Sequence, residues 1–374
     1  MSIATATYIA IDRAKTLTEE PGKGHNRWHP DIPPLVRLNP GEVIGLETRD
    51  GVDGQVKPTS TVAEVGRVNL QVVHPLTGPI YVNGAEPGDL LEVKIVEIEP
   101  QPFGFTAQLP GFGFLRDIFT EPYLVRWEIA QGFATSPDLP GVRIPGAPFM
   151  GVMGLAPSHA LLEQINRREA ELAKRGGMVL LPEVAGAIPA NPLIARTAGR
   201  TISPHETGGN LDIKQLTKGT TLRLPVFVPG ALFSVGDGHF AQGDGESCGT
   251  AIEMGATCYC SFTVIKGAAT ARKIRELQFY RDDYFATPEM AVPRRFFATT
   301  GQCVTREGTS FAEDATLAAR NALLNMLDHL VEERGFTRQQ AYAICSVAVD
   351  LKMSEVVDVP NFVVSAFLPL DIFV

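Results

Sequence analysis

Four side chains that can bind a metal ion or move a proton lie close together in one short run. They are Asp237, His239, Asp244 and Glu246, in the sequence SVGDGHFAQGDGE of residues 234–246. The glycines between them permit positive φ angles and let the backbone approach a ligand closely. Carboxylate and imidazole ligands suit Zn²⁺, whereas a harder ion such as Ca²⁺ is favoured if oxygen ligands dominate. The alternative is a tight turn at each Asp-Gly pair with His239 facing solvent, but such turns require neither His239 nor Glu246.

A second group of polar residues lies upstream, in the sequence HETGGNLDIKQL of residues 205–216. Because Asn210, Asp212 and Lys214 alternate, a strand here would place all three on one face, at the edge of a pocket. Asn210 could then bind a carbonyl oxygen, and Lys214 could stabilise an oxyanion. A surface turn with ordinary polar residues is the alternative.

Two further residues, Cys248 and His74, are candidates for a catalytic or binding role. Cys248 follows Glu246 by two residues, so a thiol nucleophile with a carboxylate base is conceivable, although no His or Lys stands beside it in the sequence to lower its pKa. His74, in QVVHPLTGPIYV, lies between apolar strand segments, where a lone His is more often a buried structural residue than a ligand. The sequence contains no G-x-S-x-G elbow, P-loop or dinucleotide-binding fingerprint, which argues against the common hydrolase, NTPase and dehydrogenase classes.

The segments around residues 234–246 predict strands. TTLRLPVFVPGALFSV comes first and ATCYCSFTVIKG follows, and both are rich in β-branched and aromatic residues. We therefore expect the sequence GDGHFAQGDGE to form a loop between two strands. In the later segment, Cys258 and Cys260 fall on one strand face, where buried core thiols are a better interpretation than a metal site.

The C-terminal hundred residues predict helices. Ser310 with Glu313 forms the pattern of a capping box ahead of a long apolar-periodic segment, and Gly335 is its expected terminator. Thr337 with Gln340 repeats the capping-box pattern for a second helix, and NFVVSAFLPLDIF predicts a final strand.

These elements predict a mainly β fold, α+β overall, with a helical layer towards the C-terminus. A chain of 374 residues is long enough for more than one packed unit. We expect an N-terminal β-rich domain over residues 1–156 and a helix with an exposed excursion over 157–200. A second β-rich domain over 201–374 would carry the active-site run and the C-terminal helices.

Composition limits the partners and the compartment. A formal net charge of −9 without a Lys/Arg block argues against nucleic acid as a partner. No stretch approaches about 18 uninterrupted apolar residues and the N-terminal residues lack a signal-peptide pattern, so we expect no membrane span and a cytoplasmic protein. Five cysteines, an odd and small number, fit reduced thiols in the cytoplasm.

Taken in order, these segments resemble the acetamidase/formamidase family over nearly the whole chain. The resemblance lies in HNRWHPDIPP with NPGEVIGLETRD, HPLTGPIYVNGAEPGDLLEVKI, GFGFLRD, TGGNLDIKQL, FSVGDGHFAQGDGESCGTAIEM and QQAYAICSVAVDLKMSEVVD. HNRWHPDIPP and the G-Q-V run after DGVD are more similar to formamidases than to acetamidases. One departure is Thr207 of TGGN, where many relatives have His; here His205 lies two residues earlier.

The resemblance implies hydrolysis of a short aliphatic amide to a carboxylate and ammonia, acetamidase/formamidase-like β-sandwich or barrel units, and a homo-oligomer. It also implies a divalent metal, Zn or Ca, near residues 234–246. The expected roles are metal binding for Asp237, His239 and Asp244, catalysis for Glu246, Asp212 and Asn210, and substrate binding for His74, Lys214 and Cys248.

We therefore expect an enzyme in which a metal activates water and Glu246 moves the proton from water to the leaving nitrogen. Two alternatives stay open at this point. One is a metal-free amidase with Cys248 as nucleophile and Glu246 as base. The other is a β-rich protein that binds a small ligand or an ion without chemistry.

Overall fold

Strands dominate the architecture of this protein, for which the computed structural model describes residues 3–282 and 295–374. In chain order the strands are β1 (Thr7–Ile9), β2 (Gly24–His25), β3 (Arg27–Trp28), β4 (Val36–Leu38), β5 (Val43–Thr48), β6 (Leu76–Val82), β7 (Leu90–Pro100), β8 (Phe103–Gln108), β9 (Tyr123–Ala130), β10 (Phe133–Thr135), β11 (Arg143–Pro145), β12 (Phe149–Gly154), β13 (Gly199–Arg200), β14 (Gly208–Asn210), β15 (Thr221–Pro225), β16 (Phe233–His239), β17 (Glu253–Met254), β18 (Ala256–Ile265), β19 (Gln278–Tyr280), β20 (Phe296–Gly301), β21 (Asp350–Glu355) and β22 (Val363–Pro369). The α-helices are α1 (Val62–Val65), α2 (His159–Lys174), α3 (Pro192–Ala195), α4 (Ala268–Ala271), α5 (Ala315–Arg334) and α6 (Arg338–Ala348), and short 3₁₀ turns lie at Pro21–Lys23, Leu70–Val72 and Leu370–Ile372. The predicted mainly β, α+β class is confirmed.

Two large sheets organise the fold. One has the strand order β1-β5-β18-β7-β15-β19, and the other has the main path β11-β10-β9-β8-β17-β16-β12-β14, with β6 beside β16 and β2 and β4 beside β6. Within residues 3–282 and 295–374 neither sheet closes into a barrel, so the barrel form of the expected units is not found. Both sheets contain strands from the region before residue 156 and from the region after residue 201. The expected domain boundaries at residues 156 and 200 stay a prediction.

One apolar cluster joins the sheets to the C-terminal helices. It contains Ile44 of β5, Val93 of β7, Trp127 of β9, Leu327 of α5 and Ile344 of α6, each at most 1% exposed. Burial of one such aliphatic side chain contributes about 1.5–3 kcal/mol, so the helical layer is a full part of the core. In the described part of the chain, no helix has the length and apolar run needed to cross a membrane.

The N-termini of α5 and α6 test the two predicted capping boxes. The capping box at Ser310 is wrong: Asp314 caps α5, and its Oδ1 accepts a hydrogen bond from Leu317 N at 2.9 Å. Glu313 has φ +61°, which takes it out of the helical region. The box of Thr337 with Gln340 ahead of α6 is confirmed.

The prediction of a loop over GDGHFAQGDGE, residues 236–246, is wrong for the first half of that run. Residues 233–239 form β16, which pairs with β12, β6 and β17, so the first Asp-Gly pair lies inside a strand. Pairing on both sides satisfies the backbone polar groups there, which outweighs the turn preference of Asp-Gly. Likewise β14 ends at Asn210, so Asp212 and Lys214 do not share a strand face with it.

The second half of the run is a loop held by α6 and β21. Gly243 N donates to Ser346 O at 2.9 Å, and Cys248 N donates to Ser346 Oγ at 3.0 Å. Asp244 N donates to Asp350 Oδ1 at 3.0 Å, and the same oxygen accepts from the buried Lys214 Nζ. The helical layer therefore fixes the loop that carries Glu246.

Replacing Lys214 with Met should lower the free energy of unfolding by about 3–5 kcal/mol, because the buried Asp350 would lose its buried charge partner and keep only Asp244 N and the longer contact with Lys352. Lys218→Met is the matched control, since Lys218 is 65% exposed and pairs with Glu97 at the surface. That pair should contribute about 0–1 kcal/mol. Denaturant unfolding of both variants measures the difference, and equal losses would show that the buried pair is not a structural anchor.

Candidate active site

The centre of the site is on β16, the strand in the middle of the larger sheet. Asp237 and His239 lie two residues apart on it, and both are buried. The glycines between and before them are needed for close packing: a Cβ at Gly238 would lie 2.8 Å from Met254 O, and one at Gly236 would lie 2.6 Å from Pro75 O. Neighbouring strands therefore approach β16 more closely than any larger residue would allow.

Four carboxylates surround His239 in the protein interior. Glu253 Oε1, Asp237 Oδ1 and Glu246 Oε1 lie 3.2, 3.5 and 4.0 Å from Nε2, and Asp212 Oδ1 lies 3.9 Å from Nδ1. The ligand atoms form two overlapping sets, Asp237-His239-Glu253 and Asp212-His239-Glu246, each with all its atoms within 4.8 Å of one another.

Gln242 fixes the orientation of the His239 ring. Its Nε2 donates to Asp212 O at 2.7 Å, which leaves its Oε1 as acceptor 3.0 Å from His239 Nδ1. Nδ1 therefore carries a proton, and Nε2 faces Glu253 Oε1 at 3.2 Å and Asp237 Oδ1 at 3.5 Å. Burial lowers the pKa of His239, but the charges of Glu253 and Asp237 outweigh it and raise the pKa well above its usual value. A positive charge is required at Nε2, either as a proton or as a bound cation.

His74 approaches Asp237 from β6's N-terminal side. Its Nδ1 lies 3.1 Å from Thr201 O and so donates to that carbonyl, while burial lowers the pKa of the ring. In its neutral form His74 presents the Nε2 lone pair 3.7 Å from Asp237 Oδ2, and in its protonated form it pairs with that carboxylate. The neutral ring can therefore accept a hydrogen bond from a ligand in the cavity, and its bond to Thr201 O fixes its orientation.

The carboxyl groups themselves are strongly perturbed. Burial raises the pKa of Asp212 to about 7 and that of Glu253 to about 8, and burial with the charge of Asp212 raises the pKa of Glu246 well above its usual value. Burial would also raise the pKa of Asp237, but the imidazoles of His74 and His239 outweigh it and lower the pKa below its usual value. The cluster has more acidic groups than two imidazoles can neutralise.

Two buried oxygen atoms at the site have no hydrogen-bond partner. They are Asn210 Oδ1 and Asp212 Oδ1. Asn210 Nδ2 is fixed by donation to Ile202 O at 3.1 Å, so its oxygen keeps one direction. Unpartnered buried oxygens next to carboxylates and an imidazole nitrogen form a donor set that fits a divalent cation or a polar substrate.

Glycines make room for these oxygens. A Cβ at Gly51 would lie 2.1 Å from Asp237 Oδ1, and one at Gly151 would lie 2.6 Å from Asp212 Oδ1 and 2.8 Å from Asp237 Oδ2. The resulting cavity measures about 60 Å³ and is lined by His74, Asn210, Asp212, Asp237, Glu246 and Glu253 on its polar side. One water needs about 10–15 Å³ by this measure, so the cavity admits a small molecule.

Three residues expected at the site lie elsewhere. The carboxylate of Asp244 accepts from Gln215 Nε2 at 3.2 Å, and Lys214 pairs with Asp350; neither lines the cavity. Cys248 is 1% exposed in the apolar core, and burial raises the pKa of its thiol to about 11. A thiol that stays protonated and outside the cavity is unsuited to nucleophilic attack.

Glu253 is the site residue that sequence reasoning missed. It lies on β17 as the direct cross-strand partner of His239. Recognition of a hairpin could have predicted it, because the chain leaves β16 at His239 and returns as β17, which pairs with β16. His205, whose position relative to Thr207 departs from the family pattern, faces Glu169 Oε1 at 3.2 Å and does not line the cavity.

Comparison with known proteins identifies the family of this chain. The model of the acetamidase/formamidase family matches residues 10–374. An acetamidase from Mycolicibacterium smegmatis is 37% identical over 370 residues, which cover 90% of this chain and 88% of that protein. A formamidase from Methylophilus methylotrophus is 34% identical over 387 residues, which cover 98% of this chain and 93% of that protein.

A solved structure gives the same result for the fold. The gamma lactamase from Delftia acidovorans superposes with a TM-score of 0.93 at 34% identity, covering 98% of this chain and 93% of that one. The resemblance expected from the sequence is confirmed, and the chain belongs to the acetamidase/formamidase family.

Proposed function

We propose that this protein hydrolyses short aliphatic amides to a carboxylate and ammonia with the help of a divalent cation. As a family member it is a hydrolase of linear amide C–N bonds. The observation that carries the proposal is the convergence of four carboxylates on His239 beside a small cavity. Simple binding of an amide would not require that concentration of buried acid groups, because each one costs desolvation free energy.

Asp237, His239 and Glu253 are the residues that would hold the cation. Their ligand atoms lie within 4.8 Å of one another, and His239 Nε2 has no competing hydrogen bond. Zn²⁺ suits the imidazole, and Ca²⁺ suits the carboxylate oxygens. A bound cation would polarise the amide carbonyl and make water more acidic.

Glu246 is the proposed acid/base group. It takes a proton from water as the water oxygen bonds to the carbonyl carbon, and it returns that proton to nitrogen as the C–N bond breaks. The products are the carboxylic acid, which ionises, and ammonia. Burial and the charge of Asp212 raise the pKa of Glu246 above its usual value, which favours the return of the proton to nitrogen. A bound cation would lower that pKa and favour the role of Glu246 as a base.

Asn210, Asp212 and His74 are proposed to orient the amide. The unpartnered Asn210 Oδ1 can accept one N–H of the substrate, and His74 Nε2 can accept the other. Asp212, next to Glu246, would keep the amide nitrogen close to the proton that it must receive. Lys214, Asp244 and Cys248 have no direct role in this scheme.

Removal of the cation should abolish ammonia release from formamide and acetamide. Protein dialysed against a strong chelator should regain turnover with the ion that metal analysis finds in the untreated sample. Glu253→Gln should reduce the bound-metal stoichiometry, whereas Asp244→Asn should leave it unchanged. Full-rate turnover by metal-free protein would contradict the metal part of the proposal, and no ammonia from any amide would favour binding without chemistry.

Replacement of Glu246 by Gln should lower kcat by about 10²–10⁴-fold, because an amide side chain cannot accept the proton from water and return it to nitrogen. The bound-metal content should stay close to that of the wild type. Asp244→Asn is the matched control in the same loop and should keep its kcat. Steady-state ammonia assays measure both, and an equal effect of the two substitutions would argue against a specific role for Glu246.

Replacement of Cys248 by Ala should leave most of the turnover intact. The thiol is buried, protonated at neutral pH and outside the cavity, so its loss removes only a small apolar side chain. Ammonia-release rates at saturating amide provide the measurement. Loss of nearly all turnover in a folded variant would instead support the thiol nucleophile.

A further inference from the structure

We propose that Phe112, Leu180 and Ile202 form a wall that limits the length of the acyl chain in substrates of this enzyme. This inference rests on the proposed amide hydrolysis and adds the specificity-determining residues. It follows from the shape of the cavity and from what lies on the other side of this wall.

The lining of the cavity is of two chemical kinds. The carboxylates, His74 and Asn210 are polar, whereas Val52, Leu109 and the three wall residues are apolar. A primary aliphatic amide has the same division, with a polar CO–NH₂ end and an apolar chain. When the amide end meets the carboxylates, the apolar lining is left to receive the chain.

The wall separates the cavity from a second, larger space. Phe112, Leu180 and Ile202 also line an open groove of about 670 Å³, more than ten times the volume of the cavity. Leu172 and Met178 contribute further apolar surface to that groove, and Arg168 and Glu169 are among its charged lining residues. An acyl chain directed at the wall would enter this groove if a wall side chain were shorter.

Leu180 is the wall residue whose side chain can be shortened with least disturbance. Ile202 O accepts the hydrogen bond that orients Asn210, and Phe112 packs on Gly249, where a Cβ would lie 2.6 Å from the ring. Leu180 lies in a segment without helix or strand. That segment is anchored further on, where Arg27 Nη2 donates to Glu183 O at 3.1 Å and Asn26 Nδ2 donates to Gly186 O at 2.8 Å.

The test is the chain-length profile of kcat/KM for straight-chain amides from formamide to hexanamide. Leu180→Ala should raise kcat/KM for pentanamide and hexanamide relative to acetamide by at least about tenfold, since one methylene in an apolar pocket changes kcat/KM by about 10–200-fold. Leu180→Phe should lower the values for propionamide and butyramide relative to formamide. The matched control is Leu181→Ala, because Leu181 is 38% exposed and lines neither space, so its profile should equal that of the wild type.

The outcomes separate this inference from the proposed function. An unchanged profile in Leu180→Ala that still turns over acetamide overturns the wall, whereas absence of ammonia from every amide with the wild-type protein overturns the hydrolysis itself. Should Leu180→Ala lose turnover of formamide by misfolding, Ile202→Val removes one methylene from the same wall. That variant must then shift the profile towards longer amides, and an unchanged profile overturns the wall as well.

Discussion

The organisation of this protein depends on four carboxylates that surround one imidazole, of which Asp237 and Glu253 are buried and Asp212 and Glu246 are partly exposed. Asp212, Asp237, Glu246 and Glu253 all approach His239 within 4.0 Å, in a part of the molecule from which most water is excluded. Desolvation disfavours every one of these charges, so the arrangement is stable only if positive charge and hydrogen bonds compensate it. The raised pKa values of Asp212, Glu246 and Glu253 and that of His239 are consequences of the same constraint.

The surrounding structure keeps the charges together. Gln242 fixes one nitrogen of His239 and so directs the other to the carboxylates, and the Thr201 carbonyl does the same for His74. Gly51 and Gly151 leave the space that the carboxylate oxygens occupy. A pre-organised site of this kind stabilises charge that develops during a reaction without first having to reorganise. This is why the same cluster is costly for folding and useful for catalysis.

Distant parts of the chain contribute to this one site. Gly51 and His74 come from the N-terminal region, Gly151 from the middle, and Asp237 with Glu253 from a later hairpin. The C-terminal helix α6 supplies none of the four carboxylates. Its Ser346 nevertheless accepts hydrogen bonds from the loop that carries Glu246. Because the two large sheets mix strands from both halves, such convergence is a property of the sheet topology and not of any one segment.

Local conformations and the chemical types of the site residues could be predicted from the sequence alone. It predicted the β-rich class, the capping box at Thr337, the buried Cys258 and Cys260, and the acidic run containing Asp237, His239 and Glu246, because these depend on neighbours within a few residues. Which acidic side chains contact His239 depends on the tertiary structure. Strand pairing places Glu253 opposite His239. Lys214 forms a buried ion pair with Asp350 and does not reach the cavity. Gln215 donates a hydrogen bond to the carboxylate of Asp244. The direction of a side chain in an irregular loop follows from such long-range contacts, and residue spacing along the chain does not specify them.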